Sequence, residues 1–136
     1  MAVEITGRYT GNLKMDLEHG PSGAHLKTAA PVDNRGDGSS FSPTDLVAAA
    51  LGSCIVTTMA IVAEREGIDF ARCSFRVEKH MVDGPRRIGA LPVTIHMPSG
   101  LTDAQKKKLE NAAHSCPVHR SLGEGVEKEI RFVFPD

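Results

Sequence analysis

The chain has 136 residues, with 16 basic and 17 acidic side chains and a net charge of −1. This length suits a single domain over residues 1–136, which can bury about two thirds of the surface that the unfolded chain exposes. Balanced charge, one tyrosine and no tryptophan argue against nucleic-acid binding, which needs a basic surface and stacking rings. Three cysteines are too few for a secreted disulfide framework, and the first residues lack the pattern of a signal peptide. We therefore expect a cytoplasmic protein with free thiols.

Residues 3–29 are predicted to form an antiparallel meander of about three strands. Apolar and polar residues alternate strictly over residues 13–18, at the period of two that is typical of a strand. Gly11-Asn12 and Gly20-Pro21 are turn sequences that separate the strands. Residues 31–41 follow as a loop rich in Gly, Asp and Ser, and such loops often carry binding groups when a rigid element anchors them.

The stretch that ends at Gly67 carries the strongest helix signals in the chain. Ser42 can cap the helix, Pro43 suits its first position, and Asp45 lies three residues after the cap. Gly67 is predicted to end the helix in a left-handed conformation. Residues 46–63 contain no charged side chain, so the helix lacks the polar face of a surface helix and should be buried nearly all round.

This apolar run of 18 residues also approaches the length of a membrane span. Its alanine, glycine, serine and threonine residues make it only weakly hydrophobic, so we predict the core helix of a protein that does not associate with a membrane. One small domain would not cover such a helix by itself. A second copy of the chain would cover it, and we therefore expect a homodimer.

Residues 70–82 and 87–97 are predicted to form two paired strands, with Pro92 marking an edge strand or a bulge. Cys73 falls on the predicted inward face of the first of these strands, beside apolar neighbours. A free thiol in that position behaves as a small hydrophobic side chain. We therefore interpret Cys73 as structural.

The last third of the chain is predicted to contain two helices and a strand. Thr102 and Gln105 form a capping box for the first helix, which should end just before Pro117. A short helix over 117–122 and a closing strand over 126–134 follow. The order βββ-α-ββ-α-β predicts an α+β fold with antiparallel pairing.

The remaining two cysteines differ in their expected chemistry. Cys116 is predicted to cap the short helix, whose positive end favours a thiolate, and His119 lies in the next turn. Cys54 lies on the core helix among small and apolar residues, where burial raises the pKa of a thiol. On the residues alone, Cys116 is therefore the more acidic thiol. Cys116-x-x-His119 is only half of a metal site, and we expect no metal.

Two motifs together resemble a known family. Ser42-Pro43 precedes Ala-Leu-Gly-Ser-Cys54, and Cys116-Pro-Val-His-Arg-Ser-Leu follows far along the chain. The chain thereby resembles the OsmC/Ohr superfamily, named after osmotically inducible protein C and organic hydroperoxide resistance protein. The resemblance implies an α+β fold in which two chains intertwine, with antiparallel sheets wrapped around long central helices.

The resemblance also implies a thiol-dependent peroxidase that reduces organic hydroperoxides in oxidative-stress defence. By this resemblance Cys54 is the peroxidatic cysteine and Cys116 the resolving cysteine, which reverses the order of acidity expected from the residues alone. An external dithiol would reduce the resulting disulfide. No cofactor is expected, because the two thiols carry the chemistry.

One position departs from the pattern of the family. Where the best characterised branches of the family have a Glu that pairs with an Arg beside the reactive thiol, this chain has Thr44, and its acid is one residue later; in this it resembles the less studied OsmC-like branch. A shift of one residue turns a side chain by about 100° around the helix, so Asp45 does not simply replace the Glu. Arg35 is our first choice for the activating cation, followed by Arg8 and Lys14.

This departure leaves two alternatives to the peroxidase. The first is a dimer of the same fold that binds a small ligand or senses oxidants without turnover. The second is a structural dimer in which the thiols are incidental.

Overall fold

The computed structural model describes residues 1–135. Their contacts group into two compact units, residues 1–47 and the part of the chain that begins at Ala48. Helix α1 spans Pro43–Arg65 and contributes residues to both units. The expectation of a single domain over the whole chain stays a prediction.

The first unit contains a three-stranded antiparallel sheet in the order β1-β2-β3. Its strands are β1 (Ile5–Gly11), β2 (Lys14–His19) and β3 (His25–Ala29). The predicted meander is confirmed, including the turn after Gly11, where the left-handed backbone continues through Asn12 and Leu13. The following loop contains a short 3-10 helix, Val32–Asn34.

The register of this sheet separates a polar face from an apolar face. Partners that lie opposite one another point to the same side, which places Arg8, Asp16 and Lys27 together. The other side carries mainly apolar residues, and several of them are exposed in the single chain: Ile5 (64%), Tyr9 (60%) and Leu26 (44%). These three apolar side chains on one face of the first sheet are therefore exposed in the part of the chain that the structure describes.

Helix α1 begins and ends as its sequence predicts. The backbone N–H of Asp45 donates to the Ser42 hydroxyl (3.1 Å), and the Ser42 N–H donates to the Asp45 carboxylate (2.8 Å). This reciprocal pair is a capping box. At the other end Gly67 has φ +68°, and the Ile68 N–H donates to the Ala63 carbonyl (2.8 Å), which is a Schellman-type C-terminus.

Burial of α1 is one-sided, whereas its sequence predicted burial nearly all round. Its fully buried side chains include Leu51, Ile55 and Met59. A stripe at helical spacing is exposed in the single chain, formed by Ala50, Ser53, Thr57 and Ile61. By length and composition α1 could also cross a bilayer, with a mean hydropathy of 2.2 over 18 residues. Its fully buried residues instead mark it as a core helix.

Between residues 70 and 97 the second unit has four short strands, where the sequence predicted two long ones. They are β4 (Ser74–Val77), β5 (His80–Val82), β6 (Arg87–Ala90) and β7 (Val93–His96). β4 pairs with β7 and β5 pairs with β6, both antiparallel. The second long strand breaks at Pro92, which has no N–H to donate to a ladder. Of the two alternatives predicted for Pro92, an edge strand or a bulge, the first does not hold for β7, since β7 lies between two partners.

The final strand pairs differently from the prediction. Helix α2 (Asp103–His114) has the predicted capping box, and helix α3 (Pro117–Ser121) follows it. β8 (Ile130–Val133) then joins β7 in parallel, giving the order β4-β7-β8. The expectation of purely antiparallel pairing is therefore wrong for this pair. The two helices form a long crossover that returns the chain to the same end of the sheet, as parallel pairing requires.

Close packing in the second unit depends on Gly52 of α1. A Cβ at this position would collide with the ring of Phe75 on β4. The helix can approach the strand at this distance only because residue 52 has no side chain. The close contact lies two residues before Cys54.

Candidate active site

Cys54 lies in the middle of α1, at the border between its buried side and its exposed stripe. Its side chain is partly buried, whereas Ser53 and Thr57 beside it are exposed. The Thr58 hydroxyl lies 3.9 Å from the Cys54 sulfur, one helical turn away. The thiol is therefore held by a core helix and lies next to a surface from which a small molecule could reach it.

Cys116 is the predicted N-cap of α3, and this prediction is confirmed. Pro117 occupies the first helical position, and the backbone N–H of His119 donates to the Cys116 sulfur at 3.5 Å. The residue is completely buried. Its sulfur is thus fixed in place by the first turn of a helix that starts directly after α2.

The fold brings these two thiols together. Hydrogen bonding from the Cys116 thiol and from the Val118 N–H lowers the pKa of Cys54, and the same Val118 N–H acts on the pKa of Cys116. All three cysteines of the chain are free thiols. The two thiols are close enough to shift each other's pKa, so oxidation at one sulfur could be followed by closure to a disulfide with the other.

The pKa values of the two thiols move in opposite directions. Burial raises the pKa of Cys54, but hydrogen bonds from the Cys116 thiol, the Val118 N–H and the Thr58 hydroxyl outweigh it, and the net shift is downward. Burial raises the pKa of Cys116, as does its role as donor to Cys54. The helix terminus was expected to make Cys116 the more acidic thiol, and burial prevents this. Cys54 is the better candidate for the thiolate.

Cys73 differs from the other two cysteines in the reactivity expected of its thiol. It precedes β4 and does not belong to it, and burial raises the pKa of its thiol to about 11. A thiol with this pKa is almost entirely protonated at neutral pH and is a poor nucleophile. The structure thus agrees with the interpretation of Cys73 as an unreactive side chain.

The candidates for an activating cation lie in the first unit. Arg35 ends the 3-10 helix with an exposed side chain and a left-handed backbone, φ +70°. Lys14 forms an ion pair with Asp37 at 3.0 Å. The groups that set the pKa of Cys54 all lie in the second unit, and none of them is a cation. The role of Arg35 stays a prediction.

The departure at residue 44 has a local structural role. The Thr44 hydroxyl lies 3.2 Å from the Ser42 hydroxyl at the start of α1. The Asp45 carboxylate accepts the Ser42 N–H in the capping box. Asp45 thus helps to start the helix, which is a sufficient structural reason for an acid at this position.

His119 makes two contacts in the fold. Its side chain Nε2 lies 3.2 Å from the backbone carbonyl of Lys128, and its backbone N–H donates to the Cys116 sulfur. Sequence reasoning missed this contact, and it also missed the Val118 amide and the Thr58 hydroxyl. The only signal in the sequence was Pro117, which indicates a helix whose first amides are free to bind a sulfur.

The fold and the site define an α+β protein with two adjacent thiols, one on the core helix and one at the start of a short helix. The OsmC-like protein family model matches residues 36–131. The chain belongs to this family, and the resemblance noted in the sequence is confirmed.

Several relatives resemble the chain over nearly its whole length. A Psychrobacter arcticus protein, provisionally described as an osmotic stress induced and detoxification response protein, is 35% identical with a TM-score of 0.90, and the match covers 95% of this chain and 94% of that one. An organic hydroperoxide resistance protein OsmC from Legionella pneumophila is 20% identical with a TM-score of 0.77, covering 97% and 96%. An uncharacterized protein of Acinetobacter baylyi is 26% identical, covering 79% and 77%. The Legionella pneumophila protein, at 20% identity, supports the fold alone.

Proposed function

We propose that the protein is a two-cysteine peroxidase that reduces organic hydroperoxides and contributes to oxidative-stress defence. The observation that carries the proposal is the interaction between the two thiols: hydrogen bonding from Cys116 lowers the pKa of Cys54, while burial and the interaction with Cys54 raise the pKa of Cys116. A nucleophilic thiolate beside a protonated thiol suits the two steps of such a reaction. Two structural neighbours described as organic hydroperoxide resistance proteins support the choice of an organic hydroperoxide as substrate.

The reaction proceeds in three balanced steps. The Cys54 thiolate attacks the distal oxygen of R–O–OH, the O–O bond breaks, and the released alkoxide takes up a proton to become an alcohol. Cys54 is then a sulfenic acid, and the Cys116 thiol condenses with it to give a disulfide and one water molecule. An external dithiol reduces this disulfide and is itself oxidised to a disulfide. The two protein thiols are then free again.

We further propose that the working form is a homodimer. The exposed stripe of α1, including Ile61 (53%), and the exposed apolar face of the first sheet support this, because a second copy would cover both. Cys54 borders that stripe, so a partner packed on the stripe would lie next to the Cys54 thiol. Light scattering should show a dimer. Ile61→Glu should weaken it, whereas Lys107→Glu on the exposed side of α2 should not.

A cytoplasmic location is part of the same proposal. All three cysteines are free, and free thiols persist in a reducing compartment. Fractionation of the cells that make the protein would test this directly. Recovery of the protein outside the cytoplasm would contradict it.

The decisive experiment measures loss of tert-butyl hydroperoxide or cumene hydroperoxide in the presence of excess dithiol. We expect turnover by the wild-type protein and a loss of more than a hundredfold in Cys54→Ser, with Cys73→Ser as the matched control that retains activity. One equivalent of peroxide should produce a crosslink between Cys54 and Cys116 in peptide mapping. Oxidation without turnover would favour the sensing alternative, and no oxidation would contradict both.

A further inference from the structure

The short helix that carries the resolving thiol is fastened to the sheet by one imidazole. The His119 Nε2 lies 3.2 Å from the Lys128 carbonyl. A carbonyl only accepts hydrogen bonds, so Nε2 must carry the proton and donate it. The ring also meets His114 of α2 edge-on, with centroids 6.3 Å apart. His119 thus connects α3 to the segment that leads into β8.

The acceptor of this hydrogen bond belongs to a rigid part of the fold. On either side of Lys128, the carbonyl of Glu127 accepts from Leu91 (2.7 Å) and that of Glu129 accepts from Val93 (2.9 Å). The ammonium group of Lys128 donates to the carbonyls of Gly123 (3.0 Å) and Val126 (2.9 Å), which folds the preceding loop against the same segment. The Lys128 carbonyl is therefore fixed relative to the second sheet.

Helix α3 needs such an attachment. It has only five residues, and a helix of one turn does not persist without tertiary contacts. The same turn presents the Val118 N–H and the Cys116 thiol to the Cys54 sulfur. If α3 loosened, both donors would leave Cys54 together.

We propose that His119 is a positioning residue, whose hydrogen bond to Lys128 holds α3 so that the Val118 amide and the Cys116 thiol stay on the Cys54 sulfur. The proposal rests on the proposed function, in which Cys54 is the nucleophile. The backbone of α3 then contributes directly to stabilising the Cys54 thiolate. His119 acts through the helix and does not touch the peroxide.

The test is the pH profile of Cys54 alkylation by iodoacetamide in the reduced protein, followed by peptide mapping. His119→Leu keeps an apolar side chain against His114 but cannot donate, and we expect about tenfold slower alkylation of Cys54 at pH 7. The rate at high pH should stay near that of the wild type, because the ionised thiol is equally accessible. His119→Gln can donate from a similar position and should restore the rate to within about threefold of the wild type. Arg120→Ala, an exposed change on the same helix, should have no effect.

Two results would overturn the proposal. The first is a pH profile of Cys54 alkylation in His119→Leu that either matches the wild type or is lowered equally at all pH values. The other comes from the unaltered protein: nitrogen NMR of His119 should show a protonated Nε2, and the tautomer protonated at Nδ1 would exclude the hydrogen bond even if His119→Leu failed to fold. Alkylation does not depend on peroxide turnover, so these results remain decisive if the protein reduces no hydroperoxide.

Discussion

Replacing Cys116 separates its role as a hydrogen-bond donor from its role as a resolving thiol. Cys116→Ala removes both functions, whereas Cys116→Ser removes the resolving sulfur but keeps a donor and a good N-cap. Comparison of the two variants therefore isolates the hydrogen bond to Cys54. Neither variant can form the disulfide, so differences between them do not reflect disulfide formation.

The magnitude follows from the contact itself. A hydrogen bond to a charged group contributes about 1.5–3 kcal/mol, and a thiol is a weak donor, which favours the lower end of this range. About 1.4 kcal/mol corresponds to a factor of ten in an equilibrium constant. We therefore expect Cys54 in Cys116→Ala to react about tenfold more slowly at pH 7 than in the wild type. Cys54 in Cys116→Ser should react at least as fast as in the wild type.

The assay is the initial rate of Cys54 alkylation from pH 5 to 10, with the site confirmed by mass spectrometry. Thr58→Val provides a comparison with a weaker hydrogen bond. The Thr58 hydroxyl lies 3.9 Å from the Cys54 sulfur, so its loss should slow alkylation by no more than about threefold. Equal rates in the wild type and in Cys116→Ala would show that the Cys116 thiol does not stabilise the Cys54 thiolate. A Ser variant as slow as the Ala variant would instead indicate that the sulfur atom itself is required.

Three further predictions concern stability, selectivity and titration. Gly52→Ala should lower the free energy of unfolding in urea by about 1 kcal/mol. Overpacking against Phe75 costs about 1–3 kcal/mol, and the higher helix propensity of alanine offsets about 1 kcal/mol of this cost. A more stable variant would show that the Phe75 ring moves aside freely. Cys73, with its pKa raised to about 11 by burial, should be alkylated far more slowly than Cys54 at pH 7, and equal labelling of the two would contradict this. The Asp37 carboxyl should titrate in NMR at about 2, because the hydroxyl and N–H of Ser39 donate to it, and Ser39→Ala should bring it closer to 3.8. Since the folded state lowers this pKa, the contribution of Asp37 to stability is complete above the unfolded value and is lost as the pH falls through about 2.

Local signals in the sequence were sufficient for most helix boundaries. The capping residues of α1 and α2 and the glycine after α1 each satisfy free backbone groups within a few positions along the chain. Their effect does not depend on the rest of the fold, so Ser42, Asp45, Thr102 and Gln105 could be interpreted correctly. The N-cap position of Cys116 follows from Pro117 in the same way.

Strand partners and burial could not be predicted in the same way. An alternating pattern does not identify the neighbour of a strand, and β8 joins β7 in parallel only because α2 and α3 return the chain to the same end of the sheet. The uniform apolar character of α1 predicted burial on all sides, but one chain leaves a stripe that includes Ile61 exposed. Burial depends on which surfaces meet, and composition does not specify this.

The sequence by itself determined the core helix, the short helix and the two motifs that place the chain in its family, because these depend on neighbours along the chain. Only the tertiary structure decided which thiol is the more acidic. From sequence the positive end of α3 favoured Cys116, whereas in the fold Cys116 is buried and donates to Cys54, which also receives the Val118 amide. The pKa of a thiol depends on burial and on the donors around it in space, and two of the donors to Cys54, Cys116 and Val118, lie more than sixty positions away along the chain.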